Sequence, residues 1–226
     1  MALAGGGAVA IWHDIVAAGR ADFYAWHGAE HMPERAAIPG FLRGRRYAAL
    51  EGRPEFFNLY ETESPAVLAG AEYLARLNAP TPWTVSAVKH FRDVARSLCE
   101  VAASFGHGQG GLVATFRYDV DDARAAAHRQ RMYETMRFVS REAGIAGAHL
   151  LVANEAASAM ETAERRARGT ATAVPRWIVL VESWGDAVPF GEFARRFAQD
   201  AAFADASAAP DWNVYRLQNT RTAGDR

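Results

Sequence analysis

The chain has 226 residues, half of them hydrophobic and 11% aromatic, enough to build one large or two small packed domains. Its formal net charge of -1 supplies no basic stripe, which argues against a nucleic-acid partner. The single cysteine, Cys99, excludes an intrachain disulfide, and no apolar run approaches the roughly 18 residues of a membrane span.

Residues Met1 to Gly7 carry neither a basic region nor a long apolar run, so the expected location is cytoplasmic, away from membranes. Residues 8–15 are apolar, β-branched and aromatic and predict a strand. After a loop holding Gly19, Asp22 is a candidate N-cap for a helix from Phe23 that Pro33 ends or turns. Pro39-Gly40 signals a turn into a strand over residues 41–50, with Phe41, Arg43, Arg45 and Tyr47 on one face. Gly52-Arg53-Pro54 turns into a third strand over 55–63, on which Asn58 and Tyr60 share a face. Ser64-Pro65 opens a helix through Leu77, and a fourth strand fits within 91–105. The order βαββαβ is a split βαβ unit of ferredoxin-like type.

The same order then recurs. Residues 111–120 predict a strand, and Asp121-Asp122 caps a long helix with a stripe of Ala125, Met132, Met136 and Val139. Strands over 148–153 and 177–184, a helix over 190–203 and a strand over 211–218 follow. The first strands align at an offset of about 105 positions, whereas Leu59-Tyr60-Glu61 aligns with Leu180-Val181-Glu182 at 121. The second copy therefore carries about 16 extra residues, mostly within about 161–174, read as a surface loop or as a lid over a pocket. The expected fold is α+β, with tandem ferredoxin-like units at 1–107 and 108–226 joined by the glycine-rich stretch 106–111. Packing their bare sheet faces together gives an α/β barrel within one chain. Further assembly into a homodimer stays open.

A repeat provides an internal control. At the offset of about 105, Met132 and Met136 stand where the first copy has His27 and His31, so the shared architecture does not require that pair. The stretch Trp26-His27-Gly28-Ala29-Glu30-His31-Met32-Pro33-Glu34-Arg35, with Ile38-Pro39-Gly40-Phe41 and Arg45-Arg46-Tyr47, resembles the EthD-like members of the dimeric α/β-barrel superfamily. The resemblance covers nearly all of the first copy and the layout of the second. It implies a small-molecule pocket between sheet and helices. Members of that superfamily include muconolactone isomerases, quinone-forming and haem-degrading monooxygenases and polyketide-modifying enzymes, most working without a metal.

Four residues are candidate catalytic groups. His27 and His31, four apart, share one helical face, and a position near a helix C-terminus would favour the imidazolium of His31. Glu30 lies on the adjacent face, and Tyr47 is a candidate donor to a developing oxyanion. Candidate substrate contacts are Trp26, Arg45, Tyr60, Trp83, His90 and His13. Each has a purely structural alternative: helix-edge packing for the histidines, core for the aromatics and surface pairing for the arginines. His27, Glu30 and His31 also fit the H-x-x-E-H zinc pattern, but mid-helix Gly28 and nearby Pro33 count against it, and no metal or cofactor is expected. Phosphate loops, G-x-S-x-G elbows and CxxC pairs do not occur. The leading expectation is a cofactor-independent enzyme acting by histidine acid/base proton transfer on a small, partly apolar carbonyl compound such as a lactone, quinone or polyketide fragment. Isomerase, cyclase, lyase and oxygenase chemistry stay open. The alternatives are a non-catalytic small-molecule-binding or stress-response protein and a zinc-dependent hydrolase.

Overall fold

The computed structural model describes residues 2–225. Strand β1 (Gly7–Ile15) leads into a helical stretch made of α1 (Arg20–Trp26), one π-turn (His27–His31) and α2 (Met32–Ala36). Strands β2 (Phe41–Ala49) and β3 (Phe56–Thr62) pair as a hairpin. Helices α3 (Ala71–Asn78) and α4 (Pro82–Ala87) return the chain to the long strand β4 (Phe91–Gly106). The second half opens with β5 (Leu112–Tyr118), α5 (Asp122–Val139) and β6 (Ile145–Ala153). Two short helices, α6 (Glu155–Ala159) and α7 (Ala163–Arg168), and a two-residue strand, β7 (Thr172–Ala173), come next. The chain finishes with β8 (Trp177–Ser183), α8 (Ala187–Phe197) and β9 (Asp211–Thr222).

Eight strands close in the order β1-β3-β2-β9-β5-β8-β6-β4, with β4 pairing back onto β1. All these pairings are antiparallel, and closure leaves the long strands no free edge. Two strands lock the halves together. Residues 91–100 of β4 pair with β1 and 99–106 with β6, while β9 pairs through 211–216 with β5 and through 215–222 with β2. The registers match between halves: Gly7 faces Thr62 as Leu112 faces Ser183, and Gly44 faces Tyr60 as Ala148 faces Val181.

Side chains from alternate positions of the strands fill the barrel, among them Trp12, Tyr47, Phe57, Ile178 and Tyr215. Cys99 lies among them, and burial pushes its thiol up. One region of that interior is ionic. Arg45, with no exposed side-chain surface, reaches Glu182 at 2.8 Å and Glu61 at 2.9 Å. Arg43 holds the other side of Glu61 at 2.7 Å, and the Gly110 N–H donates to Glu182 at 2.9 Å. The outer face of β5, β6 and β8 is sealed by α5 and α8 through an apolar layer that includes Met132, Met136, Phe190 and Phe197.

Three sequence-based expectations change here. The first helix does not end at Pro33. In an α-helix that ring would press on the carbonyl four residues back. The π-turn instead sends the Met32 N–H to the His27 carbonyl, five residues back, and the helix resumes with Pro33 in its first turn, where a missing N–H is harmless. Asp22 is not the cap; Gly19 is, and Asp22 sits in the first turn. On β2 a register shift between Phe41 and Arg43 breaks the alternation. Phe41 consequently faces the helices, whereas Arg43, Arg45 and Tyr47 face the barrel interior.

Candidate active site

The outer face of the first half carries the site. β1 presents Val9 and Ile11, β3 presents Asn58 and Tyr60, and β4 presents Arg96. Above them lie Trp26, His27 and His31 from the helical stretch, Arg35 from α2 and Tyr73 from α3. The last wall comes from the other half: Glu164 and Arg168 of α7 close over the top. The inserted segment thus lies over the first half's pocket. The enclosed cavity is small, about 30 Å³, room for little beyond a water molecule.

His27 and His31 stack along the π-turn with ring centroids 5.4 Å apart, and His31 packs on Trp26 at 4.4 Å. Arg46 approaches His27 Nδ1 at 3.4 Å, and Tyr60 Oη lies 3.1 Å from His27 Nε2. Arginine only donates, so Nδ1 accepts, Nε2 carries the proton and donates to Tyr60, and the Tyr60 hydroxyl hydrogen is free for another partner. His31 Nδ1 is buried without a partner. Burial, reinforced by the Arg46 charge at His27 and the Arg35 charge at His31, holds both imidazoles well below the usual histidine range. Both are therefore neutral near pH 7. Burial also pushes the Tyr60 phenol up, keeping it a proton donor. This reverses the expected imidazolium at His31, because the helix runs on to Ala36 and supplies no terminal carbonyls there.

Of the other sequence candidates, Trp26 and Tyr60 line the cavity and the rest do not. Tyr47 and Arg45 lie on the opposite face of β2, inside the barrel, where Tyr47 stacks on Phe57 at 5.6 Å. Glu30 accepts hydrogen bonds from Thr81 at 2.6 Å, Thr84 at 3.0 Å and the Trp26 indole at 3.1 Å, which ties the π-turn to α4. Trp83 is half-exposed and donates to Asp22. His90 packs over Gly19, where an added Cβ would fall 2.2 Å from its ring. His13 sits one layer back: its Nε2 is 2.9 Å from the Asn58 amide nitrogen, and burial lowers it to about 3. Among the described residues no three His, Cys, Asp or Glu side chains converge as metal ligands.

The sequence reading missed Arg35, Arg46, Asn58, Arg96, Glu164 and Arg168. The register of β2 against β3 pairs Arg46 with Asn58 and Gly44 with Tyr60, so that face needed the bulge to be known. The second half makes the contrast sharp. At the matching register positions Asn58 becomes Val179, Tyr60 becomes Val181 and Arg46 becomes Leu150. With Met132 and Met136 in place of the histidines, that face is packed shut by an apolar layer, and its buried polar pair, Tyr118 and His128 at 2.9 Å, stands at other positions.

The chain matches no protein-family model and no curated protein by sequence. Solved structures match it along nearly its whole length. An anthrone oxidase-like protein has a TM-score of 0.61 at 14% identity, covering 97% of this chain and 93% of its own. A candidate monooxygenase from Lactobacillus acidophilus scores 0.57 at 10% identity, covering 97% of each chain. A candidate chlorite dismutase scores 0.56 at 10% identity, covering 95% of this chain and 96% of its own. A haem-binding protein from Thermus thermophilus scores 0.52 at 11% identity, covering 95% and 92%. At these identities the likeness shows the fold alone, an α+β chain closed as an eight-stranded antiparallel barrel, and leaves the EthD resemblance of the sequence as a finer reading. With α7 closed, the water-sized cavity beside His31 admits neither a porphyrin nor an organic ligand, His27 is engaged at both ring nitrogens, and the roomier hollow beside Trp212, about 540 Å³, has no histidine in its wall.

Proposed function

We propose that the chain is an oxygenase-type enzyme, working without a bound cofactor, on a small enolisable carbonyl compound held between the first sheet and its helices. The two halves are read as copies of one ferredoxin-like unit, 1–107 and 108–226, of the EthD-like kind, with only the first retaining a site. One observation carries the reading: a neutral, buried His31 with an unpartnered Nδ1 on a closed cavity, beside a Tyr60 hydroxyl with a free hydrogen.

That pair suits proton abstraction α to a carbonyl. His31 Nδ1 takes the proton, and the electron pair moves onto the carbonyl oxygen, where Tyr60 donates a hydrogen bond to the enolate. Dioxygen then accepts electrons from the enolate and forms a C–O bond, giving a hydroperoxide after protonation. Loss of water from a CH₂-derived hydroperoxide leaves a new carbonyl, so one substrate and one O₂ give one ketone and one H₂O. His27 positions the Tyr60 oxygen, and Arg46 fixes the His27 tautomer. The fold neighbours named as an anthrone oxidase-like protein and a monooxygenase support oxygenation over isomerase or lyase chemistry. The reading as a binding protein alone would leave the replacement of His27, His31, Asn58 and Tyr60 by Met132, Met136, Val179 and Val181 in the second half without a cause.

The test uses anthrone as an enolisable probe in an oxygen electrode. The wild-type chain, treated with chelator, is expected to consume one O₂ per anthraquinone formed, well above the spontaneous rate. No acceleration over buffer across anthrone, lactone and quinone-precursor probes contradicts the reading.

A further inference from the structure

The walls of the cavity are unevenly charged. Three arginines, Arg35, Arg96 and Arg168, reach it, against one carboxylate, Glu164. Arg35 is almost fully buried and spends one arm on Glu164 at 2.5 Å, while the other approaches Glu34 at 3.5 Å. Arg96 donates to the Tyr73 hydroxyl and Arg168 to the Thr172 hydroxyl, both at 2.8 Å; neither has a carboxylate partner among the described residues. Arg168 Nε is buried with no hydrogen-bond partner among the described residues. Burial lowers the Arg168 guanidinium to about 10, the mark of a cation short of counter-charge.

Glu164 does not belong to the sheet or the helices that form the pocket. It arrives on α7, within the inserted segment, and caps a cavity too small for any organic substrate. A second hollow under the same segment shares Arg96, Glu164 and Arg168, so moving α7 would merge the two. We infer that Glu164 stands in for a substrate carboxylate on Arg35, and that the enzyme's substrate is an aromatic or enolisable carbonyl compound bearing a carboxylate, whose anion displaces Glu164 and lifts the α6–α7 lid. The inference rests on the cavity being the substrate pocket proposed above.

An arginine–carboxylate pair is charge-assisted, and the Arg35 arm that holds Glu164 has no room for a second carboxylate there, so the lid and the ligand compete for it. The competition lowers apparent affinity by the fraction of chains with the lid open.

Binding of 1-naphthoate and of uncharged 1-naphthamide, followed by calorimetry on wild type, Glu164→Gln and Glu164→Gln/Arg35→Gln, tests the inference. Glu164→Gln is expected to bind naphthoate about tenfold more tightly than wild type and naphthamide no more than twofold. Adding Arg35→Gln should cancel the gain, and Glu164→Gln alone should speed amide exchange across 155–170. Equal naphthoate affinity in wild type and Glu164→Gln, an equal gain for naphthamide, or no naphthoate binding by Glu164→Gln each overturns it. The readout needs no turnover: a chain that binds naphthoate in this way yet consumes no oxygen contradicts the oxygenase reading alone.

Discussion

Replacing His31 by alanine is expected to cut kcat by about 10² to 10⁴, the range supplied by a positioned general base, with KM changed far less. The side chain packs on Trp26 and edge-on to Tyr60 but holds no strand in its register, so the variant should fold, with a modest loss of melting temperature. Tyr60→Phe should cost about 10² in kcat through loss of the enolate donor. The pH profile separates base from acid. The active form is neutral imidazole, and the folded His31 titrates well below the ordinary value of 6.5. Turnover should therefore be flat from about pH 6.5 upward and fall only in acid. A rate that rises as pH drops through 6 would mean that His31 acts as an imidazolium acid, and the assigned role would be wrong.

Glu182→Ala is expected to destabilise the chain by about 3–5 kcal/mol, because it leaves Arg45 in the barrel with only Glu61 for a partner and removes the acceptor of the Gly110 N–H. For a chain of this length that corresponds to a fall in melting temperature of about 6–20 °C. Tyr47→Phe is the control. Its hydroxyl is buried without a partner, so the variant should melt at or above the wild-type temperature and keep full turnover. Burial raises Glu182 while Arg45 and His149 lower it further, for a net value of about 2. A carboxylate depressed in the folded state stabilises above its unfolded value near 4.5, and that contribution disappears as pH falls toward 2. His13 adds to the same trend: burial lowers it to about 3, so its contribution is full above 6.5 and is lost between 6.5 and 3. Wild type should consequently lose stability from about pH 6.5 downward, as thermal melts at stepped pH would record. A constant melting temperature between pH 7 and 4 contradicts this account of the barrel.

Much of the layout was legible because strand periodicity and glycine-led turns are local signals. The offsets of about 105 and 121 reappear in the registers Gly7–Thr62 and Leu112–Ser183. The histidine pair, Trp26 and Tyr60 were also readable, since helical spacing and strand alternation put them on inward faces. Tyr47 and Arg45 were misplaced by a single extra residue on β2, which reverses every side chain beyond it. The charge state of His31 was misread because Pro33 looked like a terminus, whereas a π-turn carries the helix through it. Glu164 and Arg168 lie far along the chain from the rest of the pocket they close, whose last other residue is Arg96, in a polar stretch whose composition fits any exposed loop. Only tertiary packing reveals that use.

The central claim is that His31 removes a proton from carbon. Under anaerobic conditions in D₂O, where oxygenation is blocked, the chain should still exchange the acidic C–H of an enolisable probe such as anthrone, and NMR can follow the loss of that signal. Wild type is predicted to accelerate exchange over buffer, with His31→Ala falling back to the buffer rate and Tyr47→Phe retaining full activity. Exchange that persists undiminished in His31→Ala would contradict the account, and the cavity beside that residue would need another role.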